Sequence, residues 1–169
     1  MRSVTTFGVW GLAAIGAASI WLAVPSAERA ASTSTAPAAV SAEAAGEDEA
    51  VRKPLNAYLQ AQATGKAAFI REAFHPNGTI SSVKDGVVKE RSVDEFAAVF
   101  TGKVAANEAQ RKRRIASVDV HGTAATARIE LDYPHVLYVD YMSLLKVNGE
   151  WKILHKIYDE TPRTAPTAP

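Results

Sequence analysis

Residues 133–158 read YPHVLYVDYMSLLKVNGEWKILHKIY, two long β-favouring runs joined by Asn148-Gly149. A two-residue type I′ turn needs positive φ at both central positions, which Asn and Gly tolerate. Placing the turn there makes Val147 face Glu150. The pairs Lys146–Trp151, Leu144–Ile153, Met142–His155 and Asp140–Ile157 then follow. Facing residues share one side of a sheet. One face is therefore expected to carry Tyr138, Asp140, Met142, Leu144, Trp151, Ile153, His155 and Ile157. The other is expected to carry Val139, Tyr141, Ser143, Leu145, Lys152, Leu154, Lys156 and Tyr158. On the first face a carboxylate and an imidazole fall among large apolar groups, one residue pair apart on neighbouring strands.

Upstream, Arg111–Val120 and Thr126–Asp132 form a second antiparallel pair through His121-Gly122. Unbroken alternation puts Lys112, Arg114, Ala116, Val118 and Val120 on one face with Ala125, Ala127, Ile129 and Leu131. The opposite face is polar apart from Ile115. Earlier still, Val51, Leu55, Tyr58, Leu59 and Gln62 follow one helical face, predicting a helix from Asp48 or Glu49 to about Ala63. Lys66–Phe74 is a second, short helix, ended by His75-Pro76 because a residue before proline leaves helical geometry. Thr79–Lys84 and Val87–Glu90 make a hairpin about Asp85-Gly86. Ser92-Val93-Asp94-Glu95 has the capping-box spacing and opens a third helix. The order α-α-β-β-α-β-β-β-β predicts an α+β fold, with three helices covering one face of a curved antiparallel sheet.

The runs AFHPNG (73–78), RKRRIASVDVHG (111–122), ARIELDYP (127–134) and VDYMSLLKVNGEWKI (139–153) carry a resemblance to a known group. Together with the element order they resemble the cone-shaped, cystatin-like nuclear transport factor 2-like superfamily, and within it the branch called putative lumazine-binding proteins. The resemblance implies a sheet wrapped around a pocket capped by helices. That shape serves isomerases, dehydratases, hydrolases, cyclases and plain binding or dimerisation modules, so it fixes no single chemistry.

The ends of the 169-residue chain read differently from its middle. Arg2 precedes an uncharged apolar run, 7–24, then Pro25-Ser26-Ala27, so residues 1–27 read as a secretory signal peptide. The run is also long enough to span a bilayer, which leaves an uncleaved membrane anchor as the alternative. Residues 28–46, rich in Ala, Ser, Thr and Pro, are expected to be a linker, 47–161 the folded domain and 162–169 a disordered tail. The expectation is export to the periplasm, free or anchored facing it. With no cysteine, neither a disulfide nor a lipidated cysteine is available. A formal charge of +1, carried down to zero if Arg2 is removed, demands no polyanionic partner, and no nucleic-acid partner is expected.

Asp140 and His155 are the expected acid–base or ligand-orienting pair, since an inward carboxylate on an apolar face is costly unless paired. The competing reading is a self-satisfied Asp–His or Asp–Arg114 pair. Arg114 is expected at a polar end of the pocket, with Tyr58, Tyr133, Tyr138 and Met142 lining it. No cofactor motif is present, and the histidines lack metal-site spacing. Three functions remain open: a small-molecule-binding protein, a cofactor-free isomerase, dehydratase or hydrolase using Asp140 and His155, and a dimerisation module with a vestigial pocket. A homodimer through the outer sheet face is expected, built on Tyr141, Leu145, Leu154 and Tyr158 interleaved with Ser143, Lys152 and Lys156. If Asp140 and His155 serve a ligand, Asp140→Asn and His155→Gln should barely move the melting temperature.

Overall fold

Helix α1 runs Ala36–Thr64 in the computed structural model, whose described residues are 36–163. Residues 1–35 and 164–169, with the export segment, the first part of the linker and the end of the tail, lie outside them. The linker expectation is corrected over its second half, because α1 begins at Ala36 rather than near Asp48. Alanine is the strongest helix former, so this stretch needs no apolar stripe to be helical. Farther along, Val51, Leu55, Tyr58 and Ala61 recur at helical spacing and are fully buried. Gly65, at φ 66°, closes the helix, its N–H donating to Ala61 O at 2.8 Å.

Helix α2 (Ala67–Ala73) leads into strand β1 (Phe74–Lys84), which turns through Asp85-Gly86 into β2 (Val87–Ser92). The expected capping box is present: Ser92 accepts from the Glu95 N–H, and the Glu95 carboxylate accepts from the Ser92 N–H, opening α3 (Val93–Ala97). After a 3-10 turn at Glu108–Gln110 come β3 (Lys112–His121), β4 (Ala124–Tyr133), β5 (Val136–Val147) and β6 (Glu150–Pro162). The Asn148-Gly149 turn adopts the expected positive φ values, 52° and 85°.

The six strands form one sheet in the order β2-β1-β6-β5-β4-β3. Every pairing is antiparallel except β1 on β6, which is parallel. One face packs on the helices through Ile129, Leu131, Leu144, Trp151 and Ile153, against Leu55, Ile70 and Phe96. This is the α+β architecture expected, with a curved, unclosed sheet.

Two bulges change which side chains face that core. On β6, Leu144 pairs with Ile153 but Ser143 pairs with His155, so Leu154 is an extra residue. On β3, Ile115 pairs with Ile129 but Ser117 pairs with Arg128, so Ala116 is extra. A bulge inserts one residue, bends the strand and reverses the alternation beyond it. The register expected from the hairpin therefore holds only from the turn to Leu144–Ile153. Past the bulge Met142 faces Lys156 and Asp140 faces Tyr158, not His155 and Ile157. On β3 the inward residues before the bulge are Arg113 and Ile115, not Lys112 and Arg114.

Candidate functional site

The reversed parity on β6 sends Lys156 into the interior, where it is 4% exposed. There it meets Asp140 of β5 and Tyr58 of α1, both fully buried. Lys156 Nζ donates to Asp140 Oδ1 at 2.9 Å and to Tyr58 Oη at 2.9 Å. The Tyr58 hydroxyl in turn donates to Asp140 Oδ2 at 2.7 Å. Both carboxylate oxygens and the phenol are thus satisfied within a closed, net-neutral triad. Such full pairing is what allows charges to be buried at all. The ammonium also lies 4.5 Å from the Tyr158 ring centroid and near the rings of Tyr58 and Phe96, within cation–π range.

Burial pushes the Lys156 ammonium below its usual pKa, with Asp140 opposing the shift. Burial, reinforced by the Asp140 charge, pushes the Tyr58 hydroxyl well above its own. Tyr58 therefore stays protonated as a donor.

Above the triad opens a cavity of ≈ 450 Å³, within the size range of small-molecule sites. Tyr58 and Lys156 form part of its floor, while Phe96, Phe100, Tyr133, Tyr138 and Tyr158 supply aromatic walls. Val99, His135 and Glu160 line it from exposed positions at the mouth. Gln62, Asn107 and Arg111 add polar groups along one side. Behind that side Arg113 is held by Glu108, by the Tyr133 hydroxyl at 3.1 Å and by the Gln62 carbonyl at 3.0 Å. Arg111 stacks over Tyr133 at 4.2 Å, with its Nε donating to Asn107 Oδ1 at 2.9 Å. These contacts fix the Tyr133 ring as a wall, and burial raises the pKa of its hydroxyl.

A curved sheet folded over helices around a polar-floored cavity is the architecture of nuclear transport factor 2-like proteins. Over residues 46–159 the sequence matches the family described as putative lumazine-binding, and the chain belongs to that family. It is similar to a nuclear transport factor 2-like protein of unknown function from Shewanella baltica OS155. That likeness has 29% identity and a TM-score of 0.65, covering 70% of this chain and 97% of that one. A second such protein of unknown function, from Silicibacter pomeroyi DSS-3, shares the fold at 23% identity and TM-score 0.61, over 70% and 98% of the two chains. Among curated proteins the chain is 24% identical to Aldolase FrzH of Cladobotryum sp over 117 residues, 69% of this chain and 94% of that one.

Of the residues singled out in the sequence, Tyr58, Tyr133 and Tyr138 line the cavity. Asp140 lies directly behind its floor, joined to it through Tyr58 and Lys156. His155 does not accompany it. The bulge at Leu154 turns His155 to the outer face, where Nδ1 shares a hydrogen bond with Thr79 Oγ1 at 2.9 Å. The bulge at Ala116 likewise turns Arg114 outward, its side chain 65% exposed and paired with Glu130. Met142 is buried beside the triad without lining the cavity. The expected Asp140–His155 pair is thus replaced by Asp140–Lys156, and Arg114's expected place by Arg113 and Arg111. On the outer face the same reversal exchanges Tyr158 and Lys156 for Ile157 and His155, beside Tyr141, Ser143 and Leu145. Among the described residues, no group of three or more His, Asp or Glu side chains is placed to hold a metal ion.

Proposed function

We propose that this protein binds a small molecule in the cavity above Tyr58 and Lys156, its apolar or aromatic body between the ring walls and an acceptor oxygen on Lys156. The observation that carries this reading is the buried ammonium at the floor of an open, aromatic-walled cavity. Two of its three N–H donors are already taken, by Asp140 and Tyr58, and the third is left for a ligand. The open volume supports a ligand over a vestigial pocket. Asp140 has no surface on the cavity, so the expected role as a base in contact with substrate passes to Lys156 and Tyr58. The relative from Cladobotryum is named an aldolase, which makes carbonyl compounds the first class to screen.

The test is native mass spectrometry and thermal shift with an aromatic aldehyde, ketone and carboxylate panel. A charged hydrogen bond contributes about 1.5–3 kcal/mol, so Lys156→Met should weaken a true ligand roughly 10- to 100-fold. Equal binding by the variant would remove Lys156 from the site.

The remaining parts of the reading concern assembly and location. Tyr141 at 53%, Leu145 at 39% and Ile157 at 57% exposure form an apolar outer face that a second copy would cover about a two-fold axis. Sedimentation of Tyr141→Glu should show monomer where the parent shows dimer; monomer for both ends this part of the proposal. Export, with a mature start near Glu28 or an uncleaved anchor, is read from the N-terminal sequence. Mass spectrometry of fractionated host cells separates the two, and full-length cytosolic protein would defeat both.

A further inference from the structure

We infer that Lys156 is a carbonyl-reactive amine, condensing reversibly with an aldehyde or ketone seated in the cavity. This rests on the binding reading above and extends it to a covalent step. Three features of the geometry support it. The amine is delivered to the cavity by β6, at the end of a side chain held in place by Asp140 and Tyr58. A proton acceptor is already in contact: Asp140 Oδ1 lies 2.9 Å from Nζ, so the pair can pass from ammonium–carboxylate to amine–carboxylic acid without moving a heavy atom. In a desolvated site that neutral form is less penalised than in water. The surroundings also suit the product. An iminium carries the same single positive charge as the ammonium, so Asp140 and the rings of Tyr58, Phe96 and Tyr158 would hold it as they hold the lysine.

The step balances without any further reagent. Nζ gives one proton to Asp140 and attacks the carbonyl carbon, forming a C–N bond as the C=O π bond opens. The oxygen takes up that proton from the Asp140–Tyr58 side, giving a carbinolamine that is still protonated, and positively charged, on nitrogen. Loss of that oxygen as water, with the second proton from nitrogen, leaves the iminium. The sum is ammonium plus carbonyl giving iminium plus water. Burial, which holds the ammonium below its usual pKa, raises the fraction of reactive amine at neutral pH.

The experiment uses the folded protein with benzaldehyde and sodium cyanoborohydride near pH 7, followed by intact mass and peptide mapping. The expected result is one benzyl group on the peptide containing Lys156, formed before any exposed lysine is labelled. Lys156→Arg, which keeps the positive charge, should lose that fast label. Wild-type mapping decides the matter even if the variant folds poorly. A label spread over exposed lysines with Lys156 unmodified overturns the inference. A parallel thermal shift separates the two readings. Stabilisation by benzaldehyde without a label at Lys156 leaves binding standing and removes the covalent step, whereas neither shift nor label removes both for this ligand class.

Discussion

Replacing Asp140 with leucine tests the buried triad most directly. The carboxylate is fully buried and accepts from both Lys156 and Tyr58, so Asp140→Leu leaves an ammonium in the interior without its counter-charge. Breaking one partner out of a buried pair costs about 3–5 kcal/mol. An independent ceiling comes from the lysine itself, which can escape by losing its proton. From an ordinary value of 10.5 down to pH 7, that costs about 5 kcal/mol at 1.36 kcal/mol per unit. The two figures agree. With an unfolding entropy of about 0.24 kcal/mol/K for a domain of roughly 115 residues, the melting temperature should fall by about 12–20 °C.

The sign with pH follows from proton counting. In the variant the folded state holds Lys156 neutral while the unfolded state binds a proton, so stability rises with pH by up to about 1.4 kcal/mol per unit until the unfolded lysine titrates. Calorimetry at pH 7 and pH 9 should therefore show about half of the loss recovered. The double variant Asp140→Leu with Lys156→Met should regain most of the stability, because an apolar pair can replace a buried ion pair at little cost. A loss below about 1 kcal/mol, indifferent to pH and unrelieved by Lys156→Met, would show that the three groups do not form the closed network on which the site rests.

Two further predictions concern the scaffold. Hydrogen bonding from Arg113 holds the Glu108 carboxyl below its usual range, so its contribution is complete above about pH 4.5 and is lost as pH falls through the lowered value. Glu108→Gln should flatten the acid limb of a melting-temperature profile; an unchanged slope would place the acid sensitivity elsewhere. A Cβ at Gly78 would lie 2.8 Å from Leu154 O and 3.0 Å from His75 O, both backbone atoms that cannot rotate away. Gly78→Ala should cost about 1–3 kcal/mol in urea denaturation, and a neutral result would mean that β1 and the β6 bulge can separate freely.

The elements themselves were legible because each had a local signature. Asn148-Gly149 and Asp85-Gly86 set the turns, Ser92 and Glu95 opened α3, and the spacing of Val51, Leu55 and Tyr58 marked the buried face of α1. What alternation could not supply was the parity beyond each bulge. Its traces were nevertheless present. Ile115 was the lone apolar residue on an otherwise polar face, and in the structure it packs against the core. Glu150-Trp151-Lys152-Ile153 alternates, and the apolar doublet Ile153-Leu154 interrupts that alternation. Either anomaly marks a break in phase, but neither says where the extra residue goes, because that depends on the approach of β1 at Gly78 and on the curvature of the whole sheet. Carrying the alternation through without the break exchanges His155 for Lys156 and Arg114 for Arg113. With Asp140 enclosed rather than ligand-facing, Asp140→Asn is expected to lower the melting temperature instead of barely moving it.

The two extra residues also bear on how this chain can change length. Insertions and deletions normally belong in loops, since one residue added within a strand turns its cavity lining out to solvent. At positions 116 and 154 the situation is inverted. Deleting Leu154 would restore an unbroken ladder with Ile153 and His155 still opposite Leu144 and Ser143, and Lys156 still opposite Met142. The strand would straighten, but the triad would keep its members. Deleting Ala116 would likewise leave Ile115 opposite Ile129 and Ser117 opposite Arg128. These are two points inside the sheet where descent or design can shorten the chain by one residue, altering the curvature around the cavity while conserving its chemistry.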